Sequence, residues 1–210
     1  MNNGRFIVLE GVEGVGKSTQ LNYLLSYLAT QKFSVVATRE PGGTPIAEAI
    51  RDLLLSHHDE VMCPETEALL MFAARMQHMQ HVILPALKRG DWVVSDRFVD
   101  ASFAYQAGGR QLNQQHIYYL SHWIVGECQP DLVIYLDCPP EVGLQRVKQH
   151  ETLDRIEVET LAFFNRVRDA YLERANQAPE RFTVIDASQS IEDVQAQIQM
   201  CLQSFIAKVG

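Results

Sequence analysis

The sequence predicts an α/β protein in which a five-stranded parallel sheet lies between two layers of helices. Short apolar runs without polar alternation recur along the 210-residue chain, and longer amphipathic segments separate them. This alternation is typical of parallel strands that are buried on both faces and joined by helical crossovers. A glycine-rich loop at residues 11–18 directly follows the first apolar run. In such a three-layer sandwich, ligands bind at the carboxyl ends of the strands.

Each predicted strand is a short apolar run. The strands are expected at residues 6–10, 34–38, 92–95, 132–136 and 182–185. Between them, apolar residues recur at helical spacing over residues 117–124 and 161–171, and a long helix is expected over residues 65–88. The last helix is the clearest, because Ser190 can cap it and an apolar stripe runs from Ile191 to Ile206.

The composition fits one compact domain that covers residues 1–210. Hydrophobic residues make up 47% of the chain and charged residues 21%, and we find no internal repeat, low-complexity tract or linker. A formal net charge of −8 argues against a nucleic-acid or anionic-membrane partner, since both need a basic surface. No apolar run reaches the length of a membrane span and the first residues lack the pattern of a signal peptide, so we expect a cytoplasmic protein.

Neither the cysteines nor the histidines predict a metal site. The four cysteines have no CxxC spacing, so we expect them to be small core hydrophobes in a reducing compartment. They are Cys63, Cys128, Cys138 and Cys201. His78 and His81 share a predicted helix face, as a metal pair would, but no further ligands stand at a fixed spacing from them.

The glycine-rich loop fits the phosphate-binding pattern G-x-x-x-x-G-K-S/T between a strand and a helix, which makes the expected fold a P-loop sandwich. Its backbone N–H groups and the helix N-terminus would face the phosphates of a nucleotide. Lys17 would bind the β- and γ-phosphates, and Ser18 would offer its hydroxyl to Mg²⁺. The alternative is a glycine-rich turn with an exposed lysine. The predicted nucleotide-binding residues of the loop are Gly11, Val12, Glu13, Gly14, Val15, Gly16, Lys17, Ser18 and Thr19.

The apolar run Trp92-Val-Val-Ser-Asp96 ends in a carboxylate. In phosphate-loop enzymes this arrangement places an aspartate beside Mg²⁺. Any strand can also end in an aspartate that caps the next helix. Because the phosphate loop is present, the metal-side role of Asp96 is the better interpretation.

Arginines at predicted strand ends and helix starts favour an enzyme with two phosphate-bearing substrates over a nucleotide-dependent switch. The guanidinium group matches phosphate oxygens with paired hydrogen bonds, and a switch needs fewer of them. The Asn-Lys-x-Asp guanine reader of such switches is also absent from the sequence. The arginines are Arg39, Arg75, Arg97, Arg110, Arg146 and Arg155.

Six segments, in order, resemble the bacterial type of the thymidylate kinase family over nearly the whole chain. They are Glu10-Gly-Val-Glu-Gly-Val-Gly-Lys-Ser-Thr-Gln20, Thr38-Arg-Glu-Pro-Gly-Gly-Thr44, Leu70-Met-Phe-Ala-Ala-Arg75, Asp96-Arg-Phe98 with Ser102 and Tyr105-Gln106, Pro130-Asp-Leu-Val-Ile-Tyr-Leu-Asp137 and Asp154-Arg-Ile-Glu157. Arg-Glu-Pro-Gly-Gly-Thr is distinctive for the family. The resemblance implies a homodimeric nucleoside monophosphate kinase that uses ATP and Mg²⁺ to phosphorylate thymidine monophosphate. Another P-loop deoxynucleoside or nucleotide kinase is the alternative.

The resemblance also implies residues that bind the thymine base. Phe72 would stack on the ring and Arg75 would hydrogen-bond its edge, with Ser102 near the base. The alternative is that Phe72 is a core residue and Arg75 a solvated charge. The three-residue offset, which places both on one helix face, favours a shared role.

The acceptor phosphate and sugar would be held by a second group of residues. By resemblance, Arg97 would bind the phosphate, and Arg39 would reach it from the turn at Pro41. Tyr105, which Gln106 follows in the matched segment, would exclude a ribose 2′-hydroxyl. Glu13 would accept a hydrogen bond from the 3′-hydroxyl, since a carboxylate beside phosphates is otherwise unfavourable.

The segment at about 146–157 resembles a short lid over ATP. Some relatives carry an arginine in the phosphate loop where this chain has Gly14, so we expect Arg155 or Arg146 to supply the catalytic charge. Lys148 would support them, and Lys148 and His150 stand where arginines are often found. Arg146 would also lie along the adenine, near the loop at 186–189. The alternative is a lid that only tunes ATP affinity and leaves Lys17 and Arg97 to stabilise the transferring group.

Overall fold

The structure is a computed structural model that describes residues 4–147 and 153–209, and its strands form one sheet. The strands are β1 (Phe6–Gly11), β2 (Val35–Arg39), β3 (Trp92–Asp96), β4 (Leu132–Asp137) and β5 (Phe182–Asp186). Their order is β2-β3-β1-β4-β5, and every neighbouring pair is parallel. The predicted fold class and strands are therefore confirmed, with each strand end within one residue of its expected position.

Helices pack around this sheet. They are α1 (Lys17–Thr30), α2 (Pro45–Leu55), α3 (Pro64–His78), α4 (Leu84–Arg89), α5 (Val99–Ser102), α6 (Gln114–Ile124), α7 (Pro140–Val147), α8 (Leu161–Gln177) and α9 (Ile191–Val209), with π-helical turns at Met79–Ile83 and Phe103–Gly109. Polar side chains begin several of them. Thr44 accepts a hydrogen bond from the N–H of Ala47 at 3.2 Å, and Thr160 does the same for Phe163.

The long helix expected over residues 65–88 is interrupted, so that prediction was wrong in part. α3 ends at His78, the π-helical turn Met79–Ile83 follows, and α4 carries Pro85 in its first turn. Proline has no N–H for the carbonyl four residues earlier and its ring crowds that carbonyl, which explains the wider turn. Gly90 ends α4 in the left-handed conformation, with φ of 88°.

The core is thickest at the centre of the sheet. Every residue of β1 is buried, whereas the edge strand β2 has no fully buried residue and β5 buries only Phe182 and Ile185. The expectation of strands buried on both faces therefore holds for the centre and fails at the edges, where one side has no neighbouring strand. The prediction of core cysteines is confirmed for Cys138, which is buried, and is wrong for Cys63, which is exposed. No helix in the described ranges has the length and hydropathy needed to cross a bilayer.

A buried ion cluster joins the start of α5 to α8 and to the residue before β5. Asp100 is fully buried and accepts hydrogen bonds from Arg174 at 2.8 Å and Arg181 at 2.7 Å. Burial alone would raise the pKa of this carboxyl, but the hydrogen bonds and charges of Arg181 and Arg174 lower it below its ordinary value. Asp100 thus holds helices on the side of the sheet where β3 ends.

We expect Asp100→Asn to lower the free energy of unfolding by about 3–5 kcal/mol at neutral pH, since two arginines lose their buried anion. Urea unfolding measures this, and Asp91→Asn, which removes the surface ion pair with Arg89, is the control with little effect. The pKa of Asp100 is lowered on folding, so its stabilisation is present above about pH 4 and is lost as the pH falls further. Equal effects of the two substitutions would contradict this account.

Candidate active site

The loop between β1 and α1 wraps around the start of the helix. Gly14 and Gly16 have φ of 72° and 88°, which favours glycine. At Gly14 a Cβ atom would lie 2.1 Å from the carbonyl oxygen of Gly143 in α7, so a side chain at this position would clash. α1 thus begins at Lys17 with its N-terminal N–H groups open to an anion.

Lys17 is held inside the loop that precedes it. Its ammonium group donates hydrogen bonds to the carbonyls of Gly11 at 3.0 Å and Val12 at 3.2 Å. Burial, and next the charge of Arg97, lower the pKa of Lys17 to about 8, while Asp96 and Glu13 oppose that shift. The ammonium therefore gains from a nearby phosphate charge, which favours its protonated form.

Asp96 and Ser18 fit a Mg²⁺ site. Oδ1 of Asp96 is buried and has no hydrogen-bond partner among the residues described, although such atoms are normally paired. Asp96 and the exposed Ser18 line the same cavity. A carboxylate and a hydroxyl are suitable oxygen ligands, and Mg²⁺ takes its remaining ligands from phosphates and water. Within the described ranges no group of three or more His, Cys, Asp or Glu residues could hold an ion alone.

Arg97 follows Asp96 in a left-handed conformation, with φ of 68°. Two hydrogen bonds hold this turn: the N–H of Arg97 donates to the carbonyl of Leu9 at 3.0 Å, and its carbonyl accepts from the hydroxyl of Ser95 at 2.7 Å. The guanidinium group then donates to Oε1 of Glu13 at 2.7 Å and lies 4.7 Å from the centre of the Tyr105 ring. The turn thus aims Arg97 at the phosphate loop.

Glu13 connects three elements of the site. Its Oε2 accepts a hydrogen bond from the Tyr105 hydroxyl at 2.7 Å, while Oε1 accepts from Arg97. Tyr105 lies in the π-helical turn after α5. Each carboxylate oxygen has a second lone pair, so the expected hydrogen bond from a sugar 3′-hydroxyl stays a prediction.

Glu10 is a functional candidate that the sequence patterns missed. It is fully buried and accepts hydrogen bonds from the N–H of Phe98 at 2.9 Å and the Tyr171 hydroxyl at 2.6 Å. Tyr171 in turn accepts from Arg97 at 3.3 Å. Burial raises the pKa of Glu10 to about 7. The one signal for it was a carboxylate at the end of an otherwise apolar strand.

A cavity of about 530 Å³ lies at the carboxyl ends of β1 and β3, within the usual size for small-molecule sites. Many of the predicted site residues line it. They are Glu13, Gly14, Gly16, Lys17, Ser18, Thr19, Pro41, Asp96, Arg97, Tyr105, Gln106, Arg146 and Arg155. Glu40, Arg51, Glu67 and Met71 line it as well. The sequence patterns did not indicate that Arg51 belongs to the site, because an arginine on an amphipathic helix is typical of an ordinary surface residue.

Phe72, Arg75 and Ser102, the predicted base-binding residues, are buried behind this cavity instead of lining it. Nε of Arg75 donates to Oε2 of Glu40 at 2.7 Å, and Nη1 donates to the hydroxyl of Ser102 at 2.9 Å. The guanidinium group lies 4.8 Å from the centre of the Phe72 ring. The alternative of a solvated Arg75 was therefore wrong, whereas base binding stays a prediction.

Arg39 is not among the residues that line the cavity. It forms an ion pair with Glu48 at 2.9 Å, and Glu48 also accepts a hydrogen bond from the N–H of Gly43. The side chain of Arg39 remains about half exposed. Its predicted contact with the acceptor phosphate would need this surface ion pair to open.

The two predicted lid arginines have different partners. Arg146 is exposed and donates a hydrogen bond to the carbonyl of Gly14 at 3.1 Å. Arg155 was expected beside Asp154, but its guanidinium group pairs with Glu67 of α3 at 2.7 Å and donates to the carbonyl of Leu54. Two further predicted lid residues, Lys148 and His150, lie outside the described residues.

The loop at residues 186–189, which was expected near the adenine, forms hydrogen bonds among its own residues. Oδ1 of Asp186 accepts from the N–H of Ser188 at 3.0 Å, and Gln189 donates to Oδ2. Ser190 accepts from the N–H of Asp193 at 3.1 Å, as predicted for the cap of α9. The helix-cap interpretation is therefore confirmed for Ser190, and contact with adenine stays a prediction.

Comparison with known proteins finds similarity over nearly the whole chain. The family model described as thymidylate kinase matches residues 9–198. The thymidylate kinase of Vesicomyosocius okutanii is 52% identical over 204 residues, which is 97% of this chain and 100% of that protein. That of Nitrosospira multiformis is 53% identical over 204 residues, covering 97% and 99% of the two chains. A crystal structure of thymidylate kinase from Ehrlichia chaffeensis matches with a TM-score of 0.78 and 30% identity, covering 96% of this chain and 99% of that one.

Proposed function

The chain belongs to the thymidylate kinase family, and we propose that its cavity transfers the γ-phosphoryl group of ATP, with Mg²⁺, to the phosphate of thymidine monophosphate. The products are ADP and thymidine diphosphate. One observation carries this proposal: a continuous cavity joins Lys17 and Ser18 of the phosphate loop to Arg97 and Tyr105. Donor and acceptor phosphates can therefore bind in the same space.

On the donor side, the phosphate loop supplies positive charge and orients the phosphates of ATP. The N–H groups at the start of α1 bind phosphate oxygens, and Lys17 places its ammonium group near the migrating phosphoryl group. Ser18 and Asp96 would hold Mg²⁺, which neutralises charge on the phosphates when it is bound. Since the transferring group needs no covalent partner from the protein, catalysis comes from positioning and from charge stabilisation.

On the acceptor side, Arg97 binds the phosphate and Glu13 the 3′-hydroxyl. The Arg97–Glu13 contact of 2.7 Å supports this pairing, because it holds both groups beside the donor loop. Tyr105 occupies the side of the sugar where a 2′-hydroxyl would project. Phe72 and Arg75 would bind the base, and Gln106 and Pro41 line the cavity.

We expect the protein to phosphorylate thymidine monophosphate but not thymidine, whereas a nucleoside kinase would accept thymidine and a switch would only hydrolyse nucleotide slowly. Lys17→Ala should lower kcat by ~100-fold or more, since it removes a charge aimed at the migrating group. Steady-state assays over a panel of nucleosides and monophosphates measure both. Lys88→Ala, which removes an exposed lysine of α4, is the control. Near-normal turnover by Lys17→Ala would refute the loop assignment.

The contact between Arg146 and the Gly14 carbonyl favours Arg146 over Arg155 as the source of catalytic charge. We expect Arg146→Ala to lower kcat by on the order of 1,000-fold at saturating substrates, as for other arginines supplied in cis. Arg155→Ala should mainly change the KM for ATP, because the guanidinium group of Arg155 pairs with Glu67. Arg89→Ala, which alters an exposed arginine, serves as the control. If Arg146→Ala keeps kcat within a fewfold, the lid only tunes ATP affinity.

We further propose a homodimer in a reducing, cytoplasmic compartment. Exposed apolar side chains on α3 and α6 support the dimer: Leu69 is 58%, Tyr119 62% and Trp123 76% exposed. Large exposed apolar groups of this kind mark contact surfaces when they cluster. The free thiols of the cysteines support the compartment.

Sedimentation at micromolar concentration should therefore give about twice the chain mass of 23.8 kDa. The double change Leu69→Glu with Trp123→Glu should give a monomer, since charges at the interface would be buried without partners. Met200→Glu, at an exposed methionine of α9, should leave the mass unchanged. A monomeric parent would contradict the dimer.

A further inference from the structure

We propose that His78 is a positioning residue for the thymine-binding arginine, acting on Arg75 through the carboxylate of Glu40. This inference rests on the proposed function, and it concerns a side chain that lines no part of the cavity. The sequence placed His78 and His81 on one predicted helix face without predicting a metal site there. In the structure His78 is buried and His81 is exposed.

His78 and Arg75 share one buried carboxylate. Nδ1 of His78 lies 3.0 Å from Oε1 of Glu40, and Nε of Arg75 donates to Oε2 at 2.7 Å. The exposed fractions of His78, Arg75 and Glu40 are 0%, 1% and 4%. Since these groups are almost completely buried, the oxygens of Glu40 depend mainly on their protein partners for orientation.

The chemistry of the partners assigns the proton on the ring. An ionised carboxylate only accepts hydrogen bonds, so Nδ1 must donate to Glu40. Nε2 lies 2.6 Å from Oγ1 of Thr38, which can donate to it. A proton on Nδ1 therefore satisfies Glu40, and the Thr38 hydroxyl can hydrogen-bond to Nε2 as donor or as acceptor. His78 becomes a rigid link between β2 and the carboxylate that orients Arg75.

The ring has little space in which to turn away. A Cβ atom at Gly43 would lie 2.5 Å from Cδ2 of His78 and 2.8 Å from Oγ1 of Thr38. The backbone of Gly43 thus packs against the ring, and Gly43 itself has φ of 85°. The turn that contains Pro41 and the helix that carries Arg75 are therefore joined through His78.

The guanidinium group of Arg75 is oriented from several sides. Nη1 donates to Ser102 at 2.9 Å and Nη2 to the carbonyl of Phe98 at 3.0 Å, while Glu40 holds the Nε edge. Arginine has five N–H donors, and the second hydrogens on Nη1 and Nη2 suit a carbonyl acceptor such as the thymine edge. Cytosine presents an amino group instead. If Glu40 rotates, the guanidinium group loses its hydrogen bond from Nε, and the discrimination between thymine and cytosine weakens.

Two substitutions distinguish the contribution of Nδ1 of His78 from that of Nε2. In His78→Asn the side-chain amide can replace Nδ1 and still donate to Glu40, whereas in His78→Gln it can replace Nε2 and contact only Thr38. We expect His78→Gln to raise KM for thymidine monophosphate by roughly 10-fold, since a buried hydrogen bond to a charge is lost. KM for ATP and kcat should stay within about twofold, and His78→Asn should stay within about threefold of the parent. The preference in kcat/KM for thymidine over deoxycytidine monophosphate should fall in His78→Gln alone.

Equal changes in both variants, or a change confined to the unfolding midpoint, would overturn the positioning role. A parent that does not phosphorylate thymidine monophosphate would instead refute the proposed function. The orientation itself is tested without turnover by ¹⁵N NMR of the imidazole in the parent protein. A proton on Nδ1 supports the inference, and a ring protonated only on Nε2 overturns it.

Discussion

The site depends on the hydrogen-bonded ion pair between Arg97 and Glu13. Arg97 can reach Glu13 because the chain turns sharply after β3, with φ of 68° at Arg97. Such a conformation costs free energy for a residue other than glycine, and the backbone bond to Leu9 together with the Ser95 hydroxyl supports it. Through this pair, the strand end that carries Asp96 is held against the loop that binds phosphates.

Charge balance explains why a chain with a net charge of −8 can bind two anionic substrates. The cavity wall carries the cations Lys17, Arg51, Arg97, Arg146 and Arg155 among carboxylates, so positive charge is available at particular points of the wall although the chain as a whole is acidic. Glu10 and Glu13 partly neutralise it before substrates arrive. Burial raises the pKa of Glu10 to about 7, although Arg97, Tyr171 and the N–H of Phe98 oppose that shift.

The sequence predicted most of the sheet and the phosphate loop because their signals are local. Apolar runs located β1 and β3 to within a residue, and the spacing from Gly11 to Ser18 located the loop. Contacts between distant segments left no such signal. Glu40 and His78 lie 38 residues apart, and they meet only in the folded chain, where the residue after β2 contacts the last residue of α3. Arg155 likewise pairs with Glu67, although its sequence neighbour Asp154 looked like the obvious partner.

The central claim is that donor and acceptor phosphates occupy one continuous cavity on either side of the Arg97–Glu13 pair. Isothermal titration with a compound that joins adenosine to thymidine through a polyphosphate chain tests it most directly. The account predicts one compound bound per chain, displaced both by ATP and by thymidine monophosphate. Displacement by only one of the two nucleotides would contradict it.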